Sequence, residues 1–427
     1  MNPPRSMPAT AGSEGPAATA PLQQRFVEVR AQTERLAQNL SAEDCALQSM
    51  ADASPVKWHL AHTTWFFETF VLAGAIAGYQ SFHPLFRSLF NSYYVGVGPR
   101  HPRPQRGLLS RPSLDEVLAY RRHVNGRLAA LLDAGAPAWD NLIELGVQHE
   151  QQHQELILTD LKHLFSHNPL LPVYAPAPPA ATAVPALYKW MAQPDGLRRI
   201  GYEGDAFCFD NELPRHRVFL EAYEIATRPV TNAEYATFMA DGGYERHELW
   251  LAEGWDIKNA QGWQAPLYWQ REGDAWLAFS LHGLRAPAAA APVSHVSFFE
   301  ADAYARWAGA RLPTEAEWES YAATQQVDGH FAGDGGCEPH AAAHAAATQV
   351  FGDVWEWTRS AYEPYPGYRA APGAVGEYNG KFMSNQTVLR GGSCATPRSH
   401  IRASYRNFFP AAVRWQFSGI RLARDLV

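Results

Sequence analysis

Residues 146–165 read GVQHEQQHQELILTDLKHLF, and the nature of the N-terminal half turns on them. Around and within this stretch Leu142, Leu145, Leu156, Ile157, Leu161 and Leu164 recur at steps of three and four, and no proline falls between Asn141 and Asn168. That period predicts a helix. His149 and His153 then lie one turn apart on one face, where two imidazoles can grip a single metal ion. Neutral imidazole suits zinc, copper, nickel or iron(II). Two ligands rarely hold an ion, so at least one more must come from elsewhere.

His62 is the best further donor. It lies in SPVKWHLAHTTWFFETF (residues 54–70), where Ser54-Pro55 reads as a helix entry and Trp58, Trp65, Phe66 and Phe70 follow at helical spacing. His59 competes with it, on a neighbouring face. His163 and His167 repeat the four-residue step near the helix C-terminus, where the dipole favours a surface role. HEQQH also matches the H-E-x-x-H of zinc peptidases, whose glutamate activates a metal-bound water. The extended form of that pattern needs Gly and His where this chain has Leu156 and Thr159.

A chain of 427 residues, 46% hydrophobic, can bury large cores in two or three domains. Its 36 basic and 43 acidic residues give a net charge of −7, with no basic stripe for nucleic acid, so small-molecule partners are expected. Cys45, Cys208, Cys337 and Cys394 are scattered without C-x-x-C spacing, which fits a reducing cytoplasm. Residues 1–20 are rich in Pro, Ala, Gly and Ser and lack the apolar run of a signal peptide, and they read as a disordered tail. No stretch approaches the roughly 18 apolar residues that span a bilayer.

Helical segments are expected over 22–40, 55–77, 113–132 and 141–165, a four-helix bundle filling 21–168, with metal ligands in its interior. Residues 169–187 form a Pro/Ala-rich linker. From 188 to 427 Gly, Trp, Tyr and Phe abound, with β-like runs such as HRVFLEAYEIA and two helix-like segments, TNAEYATFMAD and SFFEADAYARWAGA. A compact α+β domain follows.

Four segments in this half, EIATRPVTNAEYATFMADGGY, PVSHVSFFEADAYARWAGARLPTEAEWE, FGDVWEWTRS and VLRGGSCATPRSHIRASYR, closely resemble the motifs of the formylglycine-generating-enzyme (sulfatase-modifying factor) domain, a C-type-lectin-like fold. The first half, with WHLAHTTWFFE and HEQQHQE, resembles a DinB-type four-helix bundle. Together they resemble the sulfoxide synthases of ergothioneine biosynthesis.

This resemblance implies a non-haem iron(II) enzyme that uses O₂ to join a thiol to the imidazole of hercynine, the trimethyl betaine of histidine. It maps the iron ligands onto His62, His149 and His153 and a substrate-imidazole contact onto Gln152. Tyr93 and Tyr94 match tyrosines that one branch places beside the iron, and Tyr94 is slightly favoured as the group delivering a proton or hydrogen-atom equivalent. Trp415, Gln416 and Phe417 fall where the family meets the trimethylammonium and carboxylate groups; aromatic faces attract such a cation. Arginines crowd the segment before the third helix. Of Arg87, Arg100, Arg103 and Arg106, we select Arg87 and Arg103 for the thiol substrate's carboxylate. FRSLFNSYY departs from the paired-arginine pattern of the mycobacterial branch, which favours cysteine over γ-glutamylcysteine as donor. Trp355 and Trp357 read as core, and Cys394 lacks the partner thiol that a copper-dependent formylglycine-generating site needs. The alternatives are a zinc hydrolase or DinB-type thiol transferase, an ovothiol-type synthase acting on histidine, and a non-catalytic lectin-like module.

Overall fold

The computed structural model describes residues 21–177, 187–342, 344 and 348–426. The expected tail over 1–20 and the middle of the expected linker lie outside the described residues.

Four long helices form the N-terminal domain: α1 (Leu22–Ala37), α2 (Val56–Phe67), α3 (Leu114–Asp133) and α4 (Asp140–Ser166). α2 runs on through a π-helical turn, Glu68–Leu72, and stops at Ala75, close to the expected end. α3 starts where Ser113 and Glu116 cap each other: the Ser113 Oγ accepts from the Glu116 amide, and the Glu116 carboxylate accepts from the Ser113 amide. Every residue of α2 is buried, its polar Lys57, His59, His62, Thr63 and Thr64 included, and it is the central rod of the bundle. Gly146 on α4 explains how close the rods come: a Cβ there would meet the Phe67 ring at 2.3 Å.

The bundle also buries charge. Glu150 bonds Arg30 at 2.7 Å and Arg121 at 2.9 Å, with all three side chains almost fully covered. Asn125, Glu34, Thr63, Thr64 and the Leu60 and Arg30 carbonyls accept from the other guanidinium nitrogens, so the pairing is satisfied.

The C-terminal domain is built from short strands and four helices: α5 (Asn232–Ala240), α6 (Ala252–Gln261), α7 (Phe298–Trp307) and α8 (Glu315–Ala322). Thr231/Glu234, Ser297/Glu300 and Thr314/Glu317 form capping boxes at the starts of α5, α7 and α8. HRVFLEAYEIA breaks into β3 (His216–Leu220) and β4 (Tyr223–Ala226), which join different sheets. β3 pairs with β2 (Gly196–Ile200), while β4 lies between β1 (Trp190–Gln193) and β12 (Ala423–Asp425). β5 (Trp269–Glu272), β6 (Ala275–Ser280) and β7 (Gly283–Arg285) form a separate meander whose β6 packs against α4. A four-stranded sheet has the order β10 (Asn407–Phe409), β9 (Thr387–Arg390), β8 (Trp355–Ala361), β11 (Ser418–Gly419).

Helix α4 is bonded to this domain along its length. The Glu155 carboxylate accepts from the Trp355 indole at 2.7 Å, Ser393 Oγ at 2.6 Å and Thr396 Oγ1 at 2.7 Å. Lys162 Nζ reaches Glu338 at 2.6 Å and His295 at 2.9 Å. The helix that carries HEQQH is therefore shared by both domains, and the space beside it is walled by both. No described helix is long and apolar enough to cross a membrane.

Candidate metal centre and cavity

His62 on α2 and His149 and His153 on α4 converge: one ring nitrogen from each lies within 4.8 Å of the others, all three residues being buried. Two of the rings, His62 and His153, are held from behind by hydrogen bonds. His62 donates its Nδ1–H to the Phe90 carbonyl at 2.6 Å, leaving its buried Nε2 without a partner. Its ring is sandwiched between Trp58 and Trp65, at 4.5 and 5.3 Å. Both nitrogens of His149 are buried and unpartnered. Burial holds the imidazoles of His62 and His153 well below the usual histidine range and that of His149 down to about 3. All three are thus neutral at physiological pH, the form that binds a metal.

His59, the competing donor, takes a different place. Its Nδ1 faces His153 Nδ1 at 2.8 Å and its Nε2 faces Asp160 at 3.1 Å. Because a carboxylate accepts, His59 donates through Nε2 and accepts through Nδ1. His153 then carries its proton on Nδ1 and presents a bare Nε2 to the centre. Three neutral imidazoles meeting at one point, with orphaned buried nitrogens on His62 and His149, fit a divalent transition metal.

Glu150 tests the peptidase reading. Its carboxylate points into the bundle, where Arg30 and Arg121 hold it. It faces away from the three imidazoles and is not free to act as a base on a metal-bound water.

Beside the centre lies a cavity of about 340 Å³, walled by residues of both domains. Of the residues singled out from the sequence, His149, His153, Gln152, Tyr93, Arg103 and Gln416 line it. Tyr94 does not: it is fully buried behind Tyr93, with rings stacked at 4.6 Å, hydroxyls 3.5 Å apart, and Phe70 and Trp65 beyond. Arg87 is exposed, and its guanidinium donates to the Val97 carbonyl away from the cavity. Trp415 is half-buried outside the lining, and Phe417 packs into the core against His295 and under the Lys162 ammonium. Trp357 is core, as expected, while Trp355 is buried and also forms part of the cavity wall. Cys394 is buried in the core, and its thiol is pushed well above the usual range by desolvation.

Of the lining residues that sequence reasoning did not select, two bear directly on the site. Arg106 is buried, its guanidinium 3.4 Å over the Trp58 ring, with Nη1 on Ser54 Oγ at 2.9 Å and Nη2 on Ser92 Oγ at 3.1 Å. Its Nε is unpartnered, and no described carboxylate forms a salt bridge with it. Desolvation lowers it to about 9. Nothing in the string RHPRPQR separates this arginine from its solvated neighbours. The other is Tyr378, whose ring lies 5.7 Å from His149 and whose hydroxyl donates to the Gln152 carbonyl. It comes from the far domain, and no spacing could have linked it to α4.

The chain matches the family model for the DinB superfamily over residues 25–167, and that for the sulfatase-modifying factor enzyme 1-like domain over 192–351 and 346–426. It is 32% identical to the hercynine oxygenase of Mycolicibacterium thermoresistibile, covering 95% of both chains. To the hercynine oxygenase of Mycobacterium tuberculosis it is 33% identical over 94% of this chain and 98% of that one. The corresponding protein of Mycolicibacterium smegmatis is 36% identical over 66% of this chain and 71% of its own.

Proposed function

This chain belongs to the hercynine oxygenase family, and on that premise we propose iron(II) at His62, His149 and His153 and cysteine as sulfur donor. The reaction is the oxygenase step of ergothioneine biosynthesis that forms the C–S bond of a hercynine sulfoxide. The thiol S–H and an imidazole C–H are lost and a C–S bond forms. O₂ takes up four electrons, one oxygen becoming the sulfoxide and the other leaving as water. Iron(II) bound to the three imidazoles would supply open coordination positions where both substrates and O₂ meet.

The chain's own groups divide the remaining work. Gln152, an amide that both donates and accepts, orients the hercynine ring. Gln416, whose buried Nε2 has no partner, donates to the betaine carboxylate. Phe209, Phe408 and Tyr378 offer aromatic faces to the trimethylammonium, each worth roughly 0.5–2 kcal/mol. Arg106 takes the carboxylate of the thiol substrate, with Arg103 at the rim. Tyr93 stands on the wall as the proton donor, and Tyr94 behind it fixes its hydroxyl.

The observation that carries this reading is the convergence of three neutral, buried imidazoles beside a two-domain cavity that also holds a buried arginine lacking a carboxylate. The Glu150 ion pairs argue against a zinc hydrolase. The test is anaerobic iron loading, then O₂ with hercynine plus cysteine or γ-glutamylcysteine in parallel, with products identified by mass spectrometry. Hercynylcysteine sulfoxide is the expected product. Consumption of γ-glutamylcysteine alone would overturn the donor, and full activity with zinc under argon would overturn the reaction.

A further inference from the structure

A single line of hydrogen bonds runs from the bundle surface to the cavity, across the domain boundary. Arg25 pairs with Glu144, which accepts from Gln148 Nε2 at 2.8 Å. Gln148 Oε1 lies 2.6 Å from His400 Nδ1, and His400 Nε2 lies 3.0 Å from the Tyr405 hydroxyl. Tyr405 in turn meets Gln152 Nε2 at 2.7 Å, and the Gln152 carbonyl meets the Tyr378 hydroxyl. Glu144, Gln148 and Gln152 follow one another at four-residue steps on α4, so one helix face carries three stations of the line.

The sense of every bond follows from its outer end. A guanidinium only donates and a carboxylate only accepts, so Gln148 must turn its NH₂ to Glu144 and its carbonyl to His400. His400 must then carry hydrogen on Nδ1. Burial holds this imidazole well below the usual histidine range, so it is neutral and its Nε2 accepts. The Tyr405 hydroxyl therefore donates to His400 and accepts from the Gln152 NH₂, which turns the Gln152 carbonyl toward Tyr378.

We infer that His400 is a positioning residue: through Tyr405 it sets which end of the Gln152 amide faces which neighbour, and so presents hercynine's ring with one hydrogen-bond pattern instead of two. The inference rests on the reading of Gln152 as the residue that meets the substrate imidazole. Two opposite orientations of a lone amide would be close in energy, and hercynine would be met half the time by the wrong end. The Glu144 carboxylate removes the degeneracy at a distance, without touching substrate or metal.

The test has two arms. With the full chain labelled with ¹⁵N-histidine, the His400 signals are assigned by their loss in His400→Phe, or in His400→Gln if the phenylalanine variant does not fold. The expected signature is a protonated Nδ1 and a bare Nε2, with both tautomers present in Glu144→Gln, whose new amide can donate or accept. A protonated Nε2, or a doubly protonated ring, would overturn the relay. In the kinetic arm, folded and iron-loaded His400→Phe or His400→Gln should raise KM for hercynine about tenfold while leaving KM for the thiol unchanged. Equal changes in both, or none, would overturn the positioning role. A wild-type chain that does not convert hercynine would defeat the proposed function, while the tautomer measurement would still judge the relay.

Discussion

The Nδ1 atoms of His59 and His153 are 2.8 Å apart, and Asp160 closes the line at 3.1 Å from His59 Nε2. A histidine that the sequence offers as a rival ligand is thus the support of one. Such outer partners fix ring orientation and raise ligand basicity. His59→Phe is expected to weaken metal binding about 10–100-fold, read by chelator competition, with the fold retained. His62→Ala should go further and abolish both metal retention and turnover. Undiminished affinity in His59→Phe would remove His59 from the site.

Tyr93 and Tyr94 are stacked, yet only Tyr93 reaches the cavity wall. Tyr93→Phe should keep its iron and shift product from sulfoxide toward the sulfinate of the thiol. Tyr94→Phe should do so less, since its hydroxyl acts through Tyr93. The ratio of the two products by mass spectrometry decides between them, and a larger effect at Tyr94 would restore the preference drawn from the resemblance.

Arg106 is a buried cation whose two hydroxyl partners carry no charge. Hydrogen bonds to charged groups are worth about 1.5–3 kcal/mol, so Arg106→Leu should raise KM for cysteine roughly ten- to hundredfold. KM for hercynine should hold steady. A rise in both would make Arg106 structural.

Glu150 joins two buried arginines. Glu150→Ala leaves Arg30 without a carboxylate and Arg121 with Glu34 alone, and should cost about 3–5 kcal/mol of stability, read by chemical denaturation. Glu150→Gln keeps the shape and should cost less. If Glu150→Ala unfolds at the wild-type midpoint, the ion-pair network contributes nothing to the bundle.

The imidazoles of His62, His149 and His153 are neutral in the fold and titrate below the unfolded value of about 6.5. Below that pH the unfolded chain binds protons that the folded chain refuses. Stability of the metal-free protein should therefore be complete above about pH 6.5 and fall as the pH drops from 6.5 toward 3, each group giving a slope of up to about 1.4 kcal/mol per pH unit. Thermal melts across this range check the sign. His149→Phe should flatten the decline, and a Tm independent of pH there would show that these rings are protonated in the fold.

By itself the sequence determined what is local. The period of residues 141–168 dictated α4, the capping pairs at Ser113, Thr231, Ser297 and Thr314 dictated helix starts, and the spacing of His149 and His153 dictated a shared face. Long motifs identified the two domains. Tertiary structure alone decided which chemically equal side chains reach the metal centre and which reach the cavity. It chose His62 over His59 because the two lie on different faces of α2, and Arg106 over Arg87 because only the former is drawn beneath Ser54 and Ser92. It brought Tyr378, Tyr405 and His400 to Gln152 across more than two hundred residues. Periodicity is written into neighbouring residues by backbone geometry, whereas a contact between domains arises only when two surfaces are buried against each other, and no short-range pattern records it.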